Sequence, residues 1–409
     1  MGATTTLILG AGFGGISAAN GLRLRLPAEH RIVLIDRAPS FHIGATKPWV
    51  MLGQKTVAEV SYSRHSLRLR GIDLMETEIE GIDVGKGEVT TGQGALRGDY
   101  LIIALGADYN MMLVPGLDRG AHEFYSLEGA ARLRDALRDF SHGDLVILIP
   151  RTPFKCPPAP YEGAMLLHHA LKERGVGDDV RIAVYTIEGT PMATAGPDMG
   201  KFVRDELASR SISLYPAKKT VSVDAERHIL KFDDGSEARY DLLVTIPPHV
   251  APAVVRDAGL VNQSGWIPVD PQTLRVVGIP ESRSVYAIGD VAVMPLPGRY
   301  KPDIPLVLPK AGTLADAQGQ IVASQIASQV LGERSADVFG GVGACYIETG
   351  GQRAVKAEGH FFALPHPVMR ASAPDSAQYR GKLSWMTDWL RTNLKGATLP
   401  QMAAALLGT

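Results

Sequence analysis

The sequence predicts an α/β protein: two parallel-sheet domains followed by a C-terminal extension. Three observations carry this reading. The apolar stretch "TTLILGAG" runs into a glycine-rich turn and an Ala-rich helix, and a second apolar strand, "HRIVLIDR", follows. The same strand–turn–helix–strand order returns in "ILIPRTPFKCPPAPYEGAMLLHHAL" and "VRIAVYTIEGTPM". Finally, 409 residues are too many for one simple core, so two domains and an appendage are expected.

Composition narrows the function classes. Hydrophobic residues make up 45% of the chain, as in an ordinary globule, and the formal net charge is −1, which gives no electrostatic case for nucleic acid. No apolar run reaches the roughly 18 to 20 residues that span a bilayer. No secretory signal is visible, because the first strand starts almost at Met1. Two cysteines do not build a disulfide scaffold. They are either two bland buried thiols or one redox pair.

The first turn reads Gly10-x-Gly12-x-x-Gly15, and the second strand ends in Asp36. Glycines permit the tight turn, the close approach of backbone to a pyrophosphate and close helix–strand packing, while the helix N-terminus faces the phosphates. Asp36 lies about 20 residues on, where a carboxylate can accept hydrogen bonds from an adenosine ribose. Strand, turn, helix and acid together define a Rossmann-type dinucleotide site. Two later segments decide which dinucleotide. "DYLIIALGADYN" carries Ala104-Leu105-Gly106, similar to the crossing segment of two-dinucleotide flavoproteins. "SVYAIGDVAVMP" carries Gly289-Asp290, which resembles the second FAD signature of that superfamily, in which the Asp holds a ribityl hydroxyl. The expected cofactor is FAD. The expected domains are an FAD domain over 1–108 and 255–330, a second Rossmann-like domain over 109–254, and a C-terminal region over 331–409.

The second unit lacks its phosphate loop. Five prolines stand between Pro150 and Pro160, and proline has no N–H to cradle a pyrophosphate. The doubly wound frame persists without the ligand site, so NAD(P)H is not the expected reductant. Among those prolines stands Cys156.

At the cysteines the resemblance becomes specific. "PFKCPPAPYEGAMLLHHAL" around Cys156 and "GVGACYIETGG" around Cys345 resemble the two redox-cysteine segments of the sulfide:quinone oxidoreductase and flavocytochrome c sulfide dehydrogenase family. "GATKPWVMLG" resembles a segment of the quinone-linked branch, and "LPKAGTLADAQGQIVASQI" the segment that opens the helix under the flavin in both branches. The resemblance runs from about residue 5 to about residue 365. It implies a Cys156–Cys345 redox pair that oxidises sulfide to sulfane sulfur or polysulfide, with electrons passing through FAD to a quinone. Thiol–disulfide exchange through a persulfide suits that two-electron change. One departure stands out. Quinone-linked members commonly carry a third cysteine upstream of the proline-framed one, and "GAHEFYSLEGAARLRDAL" has none. The flavocytochrome branch manages with two, which leaves a cytochrome c as the alternative acceptor. An NADH:quinone oxidoreductase of the same superfamily is disfavoured by the proline-rich turn.

Several residues have two readings. Glu162 is either the proton acceptor that the resemblance implies beside the sulfur pair or a first-turn acid favoured by the helix dipole. Lys310 either stabilises negative charge at N1/O2 of reduced flavin or is a helix-edge surface lysine. Phe361 and Phe362 either sandwich a quinone ring or pack in the core. His168 and His169 lie within a helix with no partner at metal-ligand spacing, and no metal is expected. From Arg370 the chain carries five basic residues against two acidic, with Leu383, Met386, Leu390 and Leu394 at helical spacing beside Trp385 and Trp389. Such a helix suits a membrane interface, giving peripheral attachment, or else docks on the protein or at a dimer interface. A homo-oligomer is left open.

Overall fold

The computed structural model describes residues 2–395. Strand β1 (Thr5–Leu9) feeds helix α1 (Phe13–Arg25) and then β2 (Arg31–Asp36), β3 (Asp73–Glu76) and β4 (Tyr100–Ile103). A second sheet follows, made of β5 (Gly143–Ile149), β6 (Val180–Thr186), β7 (Ser213–Tyr215) and β8 (Leu242–Thr245). The chain then returns to the first sheet with β9 (Ser284–Ala287), in the order β3-β2-β1-β4-β9. The second sheet is ordered β7-β6-β5-β8, and every pair in both sheets is parallel. Both faces of such sheets are covered, which is why β1 and β5 read as unbroken apolar runs rather than alternating ones. Helices α2 (Lys47–Met51), α3 (Leu127–Asp139), α4 (Ala159–Glu173) and α5 (Gly312–Leu331) complete the parts that shape the site.

Small residues set the spacing under the first sheet. Helices α1 and α5 cross so closely that a Cβ on Gly319 would lie 2.4 Å from the Gly14 carbonyl oxygen. Ser17 Oγ donates to the Asp316 carbonyl at 3.0 Å across the same crossing.

The C-terminal region is an antiparallel sheet of β10 (Val342–Gly350), β11 (Arg353–His360) and β12 (Val368–Ala371), followed by helix α6 (Ser376–Asn393). Helix α6 takes the docked alternative for most of its apolar residues. Its apolar face is already in use: Met386, Trp389, Leu390 and Leu394 are buried in the core of the first domain. The Trp389 ring lies 4.6 Å from Phe13 and 4.9 Å from Phe41, and its Nε1 donates to Asp316 at 2.9 Å. Leu383 alone of the four spaced apolar residues remains exposed. An apolar stripe spent on the protein's own core cannot also be spent on a bilayer. Residues 396–409 lie outside the described region, and no helix among the described residues is long and apolar enough to cross a membrane.

Candidate active site

The glycines of the first turn have distinct duties. Gly10 sits at φ +97°, where only glycine is comfortable, and a Cβ there would meet the Ala104 carbonyl oxygen at 2.4 Å. A Cβ on Gly15 would lie 1.9 Å from the Gly10 carbonyl oxygen, so α1 reaches the turn only because Gly15 has none. Gly12 precedes the helix, faces open space and leaves the first-turn N–H groups without a side-chain cap. Gly106 and Gly289 both adopt φ +71° at the ends of their strands. Gly15→Ala is therefore expected to lower the flavin-to-protein absorbance ratio of the purified protein severalfold. A wild-type ratio would mean that α1 can retreat from the turn without cost.

Asp36 does more than the sequence suggested. Its carboxylate accepts from Ala11 N at 2.7 Å and Ala38 N at 2.8 Å and pairs with the buried Arg64 at 3.3 Å. It thus shapes both loops of the turn while retaining acceptor capacity for a ribose hydroxyl. Asp290 Oδ1 is buried without a hydrogen-bond partner, and so is His249 Nε2. An orphaned buried acceptor at the Gly289–Asp290 turn fits a ribityl hydroxyl, and the residues of the first domain fit FAD.

Lys310 is not a surface lysine. It is 6% exposed, and its Nζ donates to the carbonyls of Asp290 at 2.5 Å and Ala292 at 3.1 Å, 3.5 Å from the centre of the Trp266 ring. Burial pulls its pKa down to about 8, against the pull of Asp290. Its ammonium holds the Asp290 segment in place. Phe361 is buried in the first domain's core, and Phe362 is half-buried with its ring edge-on to Phe339 at 5.6 Å.

Cys156 is held in an uncommon backbone state. Its φ is +54°, which costs a non-glycine residue on the order of 1–3 kcal/mol. Residues before proline are ordinarily pushed to extended conformations, so two hydrogen bonds fix the exception. Cys156 N donates to the Lys310 carbonyl and Ala159 N donates to the Cys156 carbonyl, both at 2.8 Å. The proline frame therefore pins the thiol to the segment that also positions Asp290. Tyr161, which follows the proline turn, is fully buried and its hydroxyl donates to Glu188 at 2.6 Å.

Cys345 arrives from β10. Glu348 N, three residues on, donates to Glu162 Oε1 at 2.9 Å and ties β10 to the first turn of α4. Cys156 and Cys345 are free thiols, half-buried against one apolar cluster. Burial raises the Cys156 thiol well above the ordinary range, aided by Glu162 and Cys345; burial and Glu162 push Cys345 up to about 12. Glu162 is 3% exposed rather than a solvated first-turn acid. Burial raises its pKa to about 7, with Lys382 pulling down and Glu348 pushing up.

Sequence reasoning missed Lys47, Lys155, His249, Glu348 and Lys382. Lys47 Nζ donates to the Tyr125 carbonyl, and burial beside Lys155 drops its pKa to about 7. Lys155 Nζ lies 4.6 Å from the centre of the Tyr109 ring and donates to the Ala107 carbonyl at 3.3 Å. Burial and Lys155 lower His249 to about 2, so its imidazole is neutral. Lys47, Lys155 and Glu348 each stood within a motif already singled out, and Lys382 within the basic tail, but none was marked there by its own spacing; His249 comes from a segment with no local signal.

Two parallel-sheet units, the first with residues that fit FAD and the second without a glycine phosphate loop, have the architecture of the pyridine nucleotide-disulphide oxidoreductase class of flavoproteins. That family's profile matches residues 4–148, and the central-region profile of the sulfide dehydrogenase [flavocytochrome c] flavoprotein chain matches residues 130–247. These matches support the sulfide:quinone oxidoreductase/flavocytochrome c sulfide dehydrogenase family, and they indicate FAD as the cofactor. It is 24% identical over 371 residues to a mitochondrial sulfide:quinone oxidoreductase of Mus musculus, covering 88% of this chain and 78% of that protein. It is 24% identical over 342 residues to a sulfide-quinone reductase of Aquifex aeolicus, covering 79% and 76%. The solved sulfide:quinone oxidoreductase structure from Aquifex aeolicus superposes with a TM-score of 0.85 at 21% identity, covering 100% of this chain and 96% of that one. A type II NADH:quinone oxidoreductase of Staphylococcus haemolyticus is 22% identical over 353 residues, covering 81% and 84%.

Proposed function

We propose that this protein oxidises hydrosulfide to sulfane sulfur through a Cys156–Cys345 disulfide and passes the electrons by way of FAD to a quinone. The observation that carries the reading is the Glu348 N–Glu162 Oε1 bond, which joins the segments of both cysteines around one buried carboxylate. HS⁻ attacks one sulfur of the disulfide. The S–S bond breaks, a new one forms, and the products are a persulfide on one cysteine and a thiolate on the other. Buried thiols raised this far favour the protonated state, so the released thiolate takes up the proton that hydrosulfide brings, and a group within the site must carry it from one sulfur to the other. Glu162, whose pKa of about 7 is close to neutrality, fills that role. A further nucleophile removes the outer sulfur as a growing sulfane chain and leaves two thiols. Bound FAD supplies the two-electron acceptor that returns the dithiol to the disulfide, and quinone drains the electrons. On the protein side, Gly10, Gly12, Gly15, Asp36, Ala104, Gly106, Gly289 and Asp290 would hold the dinucleotide. Lys310 would steady the Asp290 turn beneath it. Phe362, the half-buried one of the two rings, remains the candidate quinone contact. Peripheral membrane attachment would have to use a surface other than the apolar face of α6.

Anaerobic flavin absorbance separates the readings. Sulfide should bleach the band rapidly, whereas NADH should act slowly or not at all, because the turn after β5 carries prolines where a pyrophosphate needs glycines and free N–H groups. Fast reduction by NADH with inert sulfide would sink the proposal. A second reading, with a cytochrome c as acceptor, is favoured by the presence of two cysteines only and by the match of residues 130–247 to the flavocytochrome chain. Comparing reoxidation rates with a quinone and with cytochrome c decides between the two.

A further inference from the structure

Helix α6 delivers a lysine to the thiol site from the far end of the chain. Lys382 is 1% exposed, and its Nζ donates to Glu348 Oε1 and to the Ala45 carbonyl at 3.3 Å, 3.7 Å from Glu162 Oε1. Glu348, 5% exposed, also accepts from Trp49 Nε1 at 2.9 Å. One cation is thus shared by two buried carboxylates, and Trp49 holds the outer one in place. Two buried carboxylates with a single ammonium leave one negative charge in excess, which a low-dielectric interior relieves by binding a proton.

We infer that Lys382 and Glu348 are positioning residues that set the charge state of Glu162: the ammonium keeps its carboxylate ready to accept a proton, and Glu348 limits how firmly that charge is held. This rests on the proposed sulfide reaction for its use, but not for its existence. Among the described residues, these titratable groups stand around Glu162. Lys382 comes from α6, with Tyr379 beside it; Glu348 and Cys345 come from β10; Cys156 comes from the proline turn; and Tyr125 stands ahead of α3. Lys382 is the only cation among them. Burial alone would drive its proton off, yet Glu162 and Glu348 more than offset this and raise its pKa, so it stays charged through the working range. Glu162 sits near neutrality because burial and Glu348 work against Lys382.

The two partners therefore predict opposite shifts. Losing the ammonium in Lys382→Met leaves the Glu162 carboxylate uncompensated and raises its pKa. Losing the competing charge in Glu348→Gln, which keeps an oxygen to accept from Trp49 and Lys382, lowers it. The direct readout is an infrared titration of the protonated-carboxyl C=O band, assigned to Glu162 by its loss in Glu162→Gln. The expected midpoint is about 7 in the unaltered protein. It should move up by about one unit or more in Lys382→Met and down in Glu348→Gln, about tenfold in proton affinity per unit. Lys382→Arg, which restores the cation, should return it toward the starting value. If Lys382→Met fails to fold, Glu348→Gln and Lys382→Arg still carry the test. A midpoint that Glu348→Gln leaves in place, or shifts of one sign in both variants, would overturn the inference. The acid limb of sulfide-dependent flavin bleaching should move in parallel, since the substrate's own ionisation is common to all variants. Infrared shifts as expected with no sulfide reaction in any variant would uphold the network and refute the sulfide chemistry instead.

Discussion

Cys156→Ser and Cys345→Ser are each expected to reduce sulfide-dependent flavin bleaching by roughly a thousandfold or more, as removal of a covalent nucleophile commonly does. A serine hydroxyl fits either site but forms no S–S bond, so neither the persulfide nor the internal disulfide can be made. FAD should remain bound at wild-type stoichiometry. The residues proposed to hold the dinucleotide, Gly10, Gly15, Asp36 and the Asp290 turn, involve no sulfur, and the backbone bonds at Cys156 run through its N–H and carbonyl. Stopped-flow bleaching together with the flavin-to-protein ratio reads both halves of the expectation. Near-wild-type bleaching in either single variant would remove the disulfide relay.

Trp389→Ala should destabilise the protein by about 3–5 kcal/mol, the usual cost of deleting a buried aromatic side chain. The ring is wedged between Phe13, at the mouth of the dinucleotide turn, and Phe41. Its loss opens a cavity next to α1 and takes the indole donor from Asp316, whose pKa burial already raises. Thermal unfolding followed by far-UV circular dichroism should show a markedly lower midpoint, and FAD retention should fall with it. An unchanged midpoint would mean that α6 is a detachable appendage, as a membrane anchor would be. Deleting the chain from Arg380 onward should be still more damaging, because it removes Lys382 as well and leaves Glu162 and Glu348 buried without their cation.

Much of the first domain was legible because its signals are local. The glycine turn, the following helix and Asp36 lie within one short stretch, and Gly10 and Gly15 are demanded by backbone contacts that another residue would violate. The Asp290 turn was legible for the same reason. Cys156 was conspicuous through its prolines, although nothing in them shows that the thiol would sit at φ +54°.

The tail was the opposite case. Its periodic leucines and tryptophans correctly mark a helix with an apolar face, since the 3.6-residue period is a property of the chain. Periodicity cannot say what covers that face, because a membrane, a partner and the protein's own core offer the same apolar contact. The tertiary structure chose Phe13, Phe41 and Asp316.

The sequence by itself determined the doubly wound frame, the FAD turn and the absence of a glycine phosphate loop in the second unit. Each of these depends on residues close together in the chain. Only the tertiary structure decided that Lys382, Glu348, Trp49 and Glu162 form one buried charge cluster, since they come from four separate elements. A lysine on a polar-looking helix reads as solvated until the fold buries it. Its charge then acquires partners that lie on separate elements of the chain, because burial makes a shared charge strong and an unshared one costly.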